Sequence, residues 1–315
     1  MMKEPVILIK NIAAYMVIAC LLFATACNND NKAKETDTLT TGTIDISVDE
    51  SYKPIIDEEI KVFESAYPGA KIIAHYKSEA DCFKDILRDS VTRMVIATRR
   101  LNDKEEENFK NNIGYVPYWN DVASDAIVVI VNTKSNDTLF TEERLKQQLS
   151  GALGKKQTFV FDGLNATSIV RYAVDSILKG DKFDSTIVKA VKGSQAVLDY
   201  VASDENAIGF VGISWIGNPE DTAQVNMLKK VKMAYVRCDN CEDSPYVKPT
   251  QLGILTKRYP LVRGLYCIVK EQTPGLGTGF VNFLKNERGQ LILRRGYLGH
   301  KMYFNIRNVK INEKL

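Results

Sequence analysis

The stretch Thr43-Ile44-Asp45-Ile46-Ser47-Val48-Asp49-Glu50-Ser51-Tyr52-Lys53-Pro54 passes from one chain geometry to another. Ile44, Ile46 and Val48 alternate with polar residues, the period of a strand with one buried side. Pro54 then opens a run in which Ile55, Ile56, Ile60, Val62 and Phe63 share one helical face, and Pro68-Gly69 stops it. Ser51 stands between strand and helix, where a hydroxyl can meet the free N–H groups of a helix start. Downstream the same alternation recurs. Strands are expected at 71–76, 93–97, 125–131, 158–161, 207–211, 252–255 and 264–269. Helices are expected at 80–87, 103–111, 141–149, 168–178, 194–201 and about 278–294, the last interrupted at Gly289. This order predicts an α/β fold with a largely parallel sheet.

Upstream of Thr43 the chain changes character. Lys3 and Lys10 precede a run of 15 mostly apolar residues, 12–26, too short for a bilayer span of about 20 residues, and the small residues Ala24-Thr25-Ala26 lead into Cys27. This is the form of a secretory signal over residues 1–26, with a lipobox-like end that makes Cys27 the acylated residue. Ala24 replaces the usual leucine, Cys20 is a rival, and an uncleaved single-span anchor is the alternative. On either reading the folded part lies outside the cytoplasm, in the cell envelope. Residues 27–42, polar except for Leu39, are expected to be a flexible tether.

Two interleaved lobes follow from the element order: residues 43–125 with 247–315, and 126–246, joined by two crossings and enclosing a cleft. Ligands in such sheets sit beyond the carboxyl ends of strands, so the strand-to-helix junctions are where chemistry is expected. Four carry hydroxyls beside helix starts: Ser51-Tyr52, Ser78-Glu79, Thr98-Arg99-Arg100, and Asp162 to Ser168 through Asn165, Ala166 and Thr167. Hydroxyls and free N–H groups at the positive end of a helix dipole hold oxyanions, and Arg99 adds a planar donor fork. Any one such junction is ordinary capping; four together point to an anion.

These residues carry a resemblance. Val95–Leu101, Asp125–Asn132, Phe161–Tyr172, Ala207–Gly212, Tyr259–Arg263 and Gly289-Gln290, in this order, resemble the phosphate-binding components of ABC transporters, in the lipoprotein form of Bacteroidetes-type bacteria. The resemblance covers nearly the whole mature chain and implies a two-lobed periplasmic-binding-protein fold of the two-crossover kind. It implies that inorganic phosphate or a similar anion is the ligand and an ABC permease the partner, with no enzymatic step. By the same resemblance Ser51, Tyr52 and Ser78 fall on ligand-holding positions. In the loop that usually reads Arg-x-Asp-Gly-Ser-Gly-Thr only Thr167 survives clearly, Asn165 stands for a serine, and the arginine is gone. The third-strand aspartate that accepts the proton of hydrogen phosphate is replaced by Arg99. Arg99 is therefore expected to supply the lost charge, with Arg100 as the other possibility, Asp162 or Glu79 to replace the acceptor, and Arg171 to stand behind the ligand. The weaker acceptor leaves sulfate, molybdate or a phosphorylated organic ligand as alternatives, and a surface lipoprotein with a degenerate cleft as another.

Composition sets further limits. Against 42 Lys and Arg stand 39 Asp and Glu, a net +3 that does not point to nucleic acid. Only two histidines occur; His75 reads as a core residue and His300 as exposed, which leaves little for metal or triad chemistry. Cys238 and Cys241, spaced C-x-x-C, are a tight disulfide or two thiols, while Cys82 and Cys267 read as small buried groups. No cofactor or metal is expected, and the protein is expected to be a monomer.

Overall fold

The computed structural model describes residues 37–154, 157–164, 166–302 and residue 304. Its strands are β1 (Gly42–Asp49), β2 (Ala70–Lys77), β3 (Thr92–Ala97), β4 (Tyr118–Asn132), β5 (Leu139–Phe140), β6 (Thr158–Phe161), β7 (Val188–Ala190), β8 (Ala207–Gly212), β9 (Val231–Met233), β10 (Tyr235–Arg237), β11 (Tyr246–Val247), β12 (Val262–Val269) and β13 (Gly299–His300). Its helices are α1 (Lys53–Ala66), α2 (Glu79–Arg88), α3 (Asp103–Ile113), α4 (Glu142–Leu149), α5 (Ser168–Tyr172), α6 (Ser194–Ser203), α7 (Thr222–Met227), α8 (Gln251–Leu255), α9 (Leu276–Lys285) and α10 (Glu287–Arg295). Among the described residues no helix is long and apolar enough to cross a membrane.

The main sheet runs β2-β1-β3-β12-β4-β8-β6-β7, with β9 and β13 also on β4. The expected parallel character holds only at the flanks, where β1 pairs with β2 and β3, and β6 with β7 and β8. The centre is antiparallel, because β12 returns between β3 and β4 and β4 pairs antiparallel with β8. β4 has 15 residues, twice the run expected, and extends roughly 50 Å at strand rise. Its first part pairs with β12 up to Ala126, and from Ile127 its partner is β8. One strand thus carries both flanks, and the partner change at Ala126 and Ile127 is the switch point. Leu261 O accepts from Ile127 N there at 2.9 Å, and Tyr259 donates its hydroxyl to Ile127 O at 2.9 Å.

Each flank has apolar packing to match. Phe63 on α1 meets Tyr67, Phe280 and Phe283 edge-on at 5.0–5.3 Å, and in the other flank Phe161 stacks on Phe210 at 4.7 Å. Several expectations need correction. Residues 252–255 form part of α8, not a strand, because Thr250 caps them by accepting from Gly253 N. The break in the last helical region falls at Asn286 rather than Gly289. The helix from Ser168 keeps α geometry only to Tyr172 and widens to a π turn over Ala173–Leu178. His75 is exposed, with Nε2 hydrogen-bonded to Asp45 Oδ1 at 2.7 Å, rather than packed in the core. Cys238 and Cys241 are disulfide-bonded, and Cys82 and Cys267 are free and buried. The end of the expected tether is tied down: Asp37 pairs with Arg93 at 2.8 Å and accepts from Leu276 N at 2.7 Å. Cys27 and the rest of residues 1–36 lie outside the described residues.

Candidate anion site

Asp125 and Arg263 face each other in the β4–β12 ladder, one residue from the switch point. Opposite charges directly across a ladder attract; here both side chains are buried, so they must satisfy each other. Arg263 Nε donates to Asp125 Oδ2 at 2.7 Å. The rest of the guanidinium is spent on hydroxyls: Nη1 donates to Ser168 Oγ and Nη2 to Ser51 Oγ, each at 2.8 Å. Ser51 follows β1 in one flank and Ser168 opens α5 in the other, so one fork joins the two. Because Arg263 occupies a lone pair on each oxygen, each hydroxyl keeps its own hydrogen for an acceptor. Gly212, ending β8, lets the backbone close in; a Cβ there would lie 3.0 Å from Ser51 O and 3.4 Å from Arg263 Nη2.

Around this fork stand carboxylates in different states. Asp49 Oδ1 accepts from Ser51 N at 2.9 Å, while Oδ2 is buried without a hydrogen-bond partner. Burial raises the Asp49 pKa and the Glu79 carboxylate raises it further, while Arg263, the nearby Ser168 hydroxyl and Ser51 N oppose both. Asp162 is pushed up to about 7, first by burial, although its Oδ1 accepts from Thr167 Oγ1 at 2.6 Å. Burial alone would raise Glu79, but Arg171 and Thr98 outweigh it and hold its carboxyl below the ordinary range. Glu79 accepts from Thr98 N at 3.0 Å and from Arg171 Nε at 2.6 Å. The surroundings therefore hold protons readily at Asp49 and Asp162 and a firm negative charge at Glu79. That carboxylate is answered by Arg171, so an anion at the Arg263 fork would meet less repelling charge than the residue types suggest.

The sequence-chosen residues divide into three sets. Ser51 and Ser168 meet at Arg263, with the fully buried Tyr52 beside them; its ring lies 5.4 Å from the Arg263 guanidinium and its hydroxyl bonds Gly264 O at 2.7 Å. Thr98, Glu79 and Arg171 form a second cluster, in which Arg171 Nη2 also donates to Thr98 Oγ1 at 2.7 Å. Ser78 and Thr167 serve as caps, accepting from Asp81 N and Val170 N, and Ala166 O accepts from Ala80 N at 3.1 Å. Asn165 lies outside the described residues. Arg99 is not brought to either cluster: its guanidinium forks onto Glu105 at 2.7 and 2.9 Å and lies 3.6 Å over the Phe83 ring. Arg100 is exposed and stacks over Trp119 at 4.3 Å. Of the acceptors proposed for the missing aspartate, Asp162 is engaged by Thr167 and Glu79 by Thr98 and Arg171, whereas Asp49 retains an open oxygen. Sequence reasoning passed over Arg263, Asp125 and Asp49. The signal was there: Asp125 opens one of the quoted runs, Asp125–Asn132, and Arg263 ends another, Tyr259–Arg263, opposite charges at strand positions.

Comparison with known proteins bears on this geometry. The family description of a PBP superfamily domain matches residues 33–288. The phosphate-binding protein PstS of Pseudomonas aeruginosa is 26% identical over 239 residues, which cover 67% of this chain and 69% of that protein. Among solved structures, a Clostridium perfringens protein assigned to phosphate ABC transport, with phosphate bound, superposes with a TM-score of 0.68 at 20% identity. The match covers 82% of this chain and 99% of that one. An ABC-type phosphate transport receptor from Vibrio cholerae gives 0.59 at 18% identity, covering 82% and 100%. The structural likenesses show the fold, and the family match spans most of the chain: this chain belongs to the PBP (periplasmic-binding-protein) superfamily.

Proposed function

We propose that this chain is a solute-binding protein, not an enzyme, that captures inorganic phosphate between the two flanks of its sheet and delivers it to an ABC permease. One observation carries the reading: a buried arginine fork polarises two serine hydroxyls from opposite flanks and leaves their hydrogens for an oxyanion. The same feature disfavours catalysis by Ser51 or Ser168, since each oxygen accepts from a buried guanidinium that opposes nucleophilic attack. The phosphate-binding names of the relatives at 26% identity, and the bound phosphate of the Clostridium structure, support phosphate over another anion. The flanks correspond to lobes of residues 43–125 with 247–315, and 126–246, hinged where β4 changes partner. The N-terminal sequence supports a lipid anchor on Cys27, with the folded part outside the cytoplasm, and a monomer suits such a carrier.

Asp49 is assigned the acceptor role. Above its folded pKa the open oxygen is a buried carboxylate that favours a ligand bearing a proton; sulfate has none to share, and the two charges repel. Below that pKa Asp49 carries its own proton and can donate to either anion. Discrimination is therefore strongest on the alkaline side and fades on acidification. At pH 8, Asp49→Asn should narrow the phosphate-to-sulfate affinity ratio by about tenfold or more, the size of one charge-assisted hydrogen bond. Competition of sulfate against labelled phosphate measures it; an unchanged ratio removes Asp49 from the site.

Arg99→Ala has the opposite expectation. The lost Glu105 pair is only partly buried, so a stability decrease of about 0.5–1 kcal/mol is expected, with phosphate affinity intact. Thermal melting and titration of the same sample read both, and loss of binding in a folded protein would return Arg99 to the ligand.

A further inference from the structure

The second cluster joins the flanks without touching the Arg263 fork. Glu79 opens α2 and Thr98 follows β3, both in the first flank; Arg171 lies in α5, in the second. Glu79 is 3% exposed, and its carboxylate is held by Thr98 N at 3.0 Å and Arg171 Nε at 2.6 Å. Arg171 completes the triangle by donating to Thr98 Oγ1 at 2.7 Å. Beside it, Ala80 N donates to Ala166 O at 3.1 Å, again across the flanks. Elsewhere between the flanks, Glu50 of the first accepts from Ser194 N at 3.1 Å and Ser194 Oγ at 2.8 Å.

We propose that the Arg171–Glu79–Thr98 triangle is a latch, made wholly of protein groups, that closes the two flanks on each other and sets how long the anion stays. On opening, the Glu79 carboxylate regains water but loses Arg171; in the closed form the Arg171 and Thr98 bonds outweigh the cost of its burial, so the pair favours closure. A ligand then needs to supply only part of the closing free energy. Closure is a matter of shape alone; the effect on dwell time rests on the phosphate reading above.

The test uses the full chain, stripped of ligand by partial unfolding and refolding, and Arg171→Met. Small-angle scattering should give the stripped native protein the same radius of gyration as the phosphate-loaded one. Stripped Arg171→Met should be larger and contract on adding phosphate. Phosphate release, followed by stopped flow, should quicken about tenfold or more, because truncating one partner of a buried pair acts on dissociation. Glu79→Gln, which keeps the side-chain shape, provides a second variant and should shift both readouts in the same direction by less. A stripped native protein as extended as Arg171→Met, or a variant as compact and slow to release as the native, overturns the latch. Expansion of Arg171→Met in a protein that takes up no phosphate upholds the latch and removes the phosphate reading.

Discussion

Arg263→Met should abolish tight phosphate binding. The guanidinium makes three bonds, to Asp125, Ser51 and Ser168, and is the sole charged donor that reaches both serines among the described residues. Methionine keeps much of the volume but removes the charge that draws the anion and the fork that orients the hydroxyls. Truncating a buried hydrogen-bonded charge costs about 2–5 kcal/mol in binding, roughly 30- to 4,000-fold in affinity. The variant also leaves Asp125 buried and unpaired, a cost of about 3–5 kcal/mol if it stays ionised. Asp125 is expected to take up a proton instead, so the variant should be more stable at low pH than at high. Arg263→Lys separates charge from geometry: it retains the charge but cannot reach Asp125 and two hydroxyls in one plane, and should recover only part of the affinity. Calorimetric titration of both variants, with circular dichroism to establish folding, reads the effect. Native affinity in folded Arg263→Met contradicts the assignment.

The largest expected gain in stability lies away from the site. Glu59 on α1 is fully buried, and neither carboxylate oxygen has a hydrogen-bond partner. Burial alone pushes its pKa well above that of an ordinary glutamate, with the Cys267 thiol among its neighbours. The folded chain therefore keeps a proton that the unfolded chain gives up above the ordinary glutamate range. Because the folded pKa is the higher one, the stabilising contribution is complete below the unfolded value and is lost as pH rises through the folded value. Glu59→Met replaces a desolvated carboxyl by a side chain of similar length and no charge. At pH 8 it should gain about 2–4 kcal/mol, or several degrees in melting temperature for a chain of this length. At pH 5 the gain should shrink. Melting curves across that range test this; equal gains at both pH values would mean that Glu59 does not hold its proton as described.

Much of this fold was legible because its elements announce themselves locally. The alternation of Ile44, Ile46 and Val48, the proline start of α1 and the helix starts expected at 141 and 168 each correspond to an element found within a few residues of its expected place. What was illegible depends on pairing at a distance. The antiparallel centre arises because residues 262–269 return between two strands more than 100 residues earlier, which no local period encodes. Arg99, expected at the ligand, is drawn to Glu105 for a related reason. Two arginines beside a strand end resemble anion ligands, but Asn102 and Glu105 form a capping box, and Glu105 both caps α3 and captures the guanidinium. Arg263 ended a quoted run without being chosen as a site residue, because its placement depends on Asp125, which lies 138 residues away in sequence but directly across the ladder.

The central claim is that the Arg263 fork holds phosphate between the flanks. Isothermal titration of the ligand-stripped native protein with phosphate and, separately, sulfate at pH 8 tests it most directly. The account predicts a single phosphate site of high affinity, with sulfate far weaker. A folded protein that gives no heat with phosphate, or binds sulfate as tightly, would contradict it.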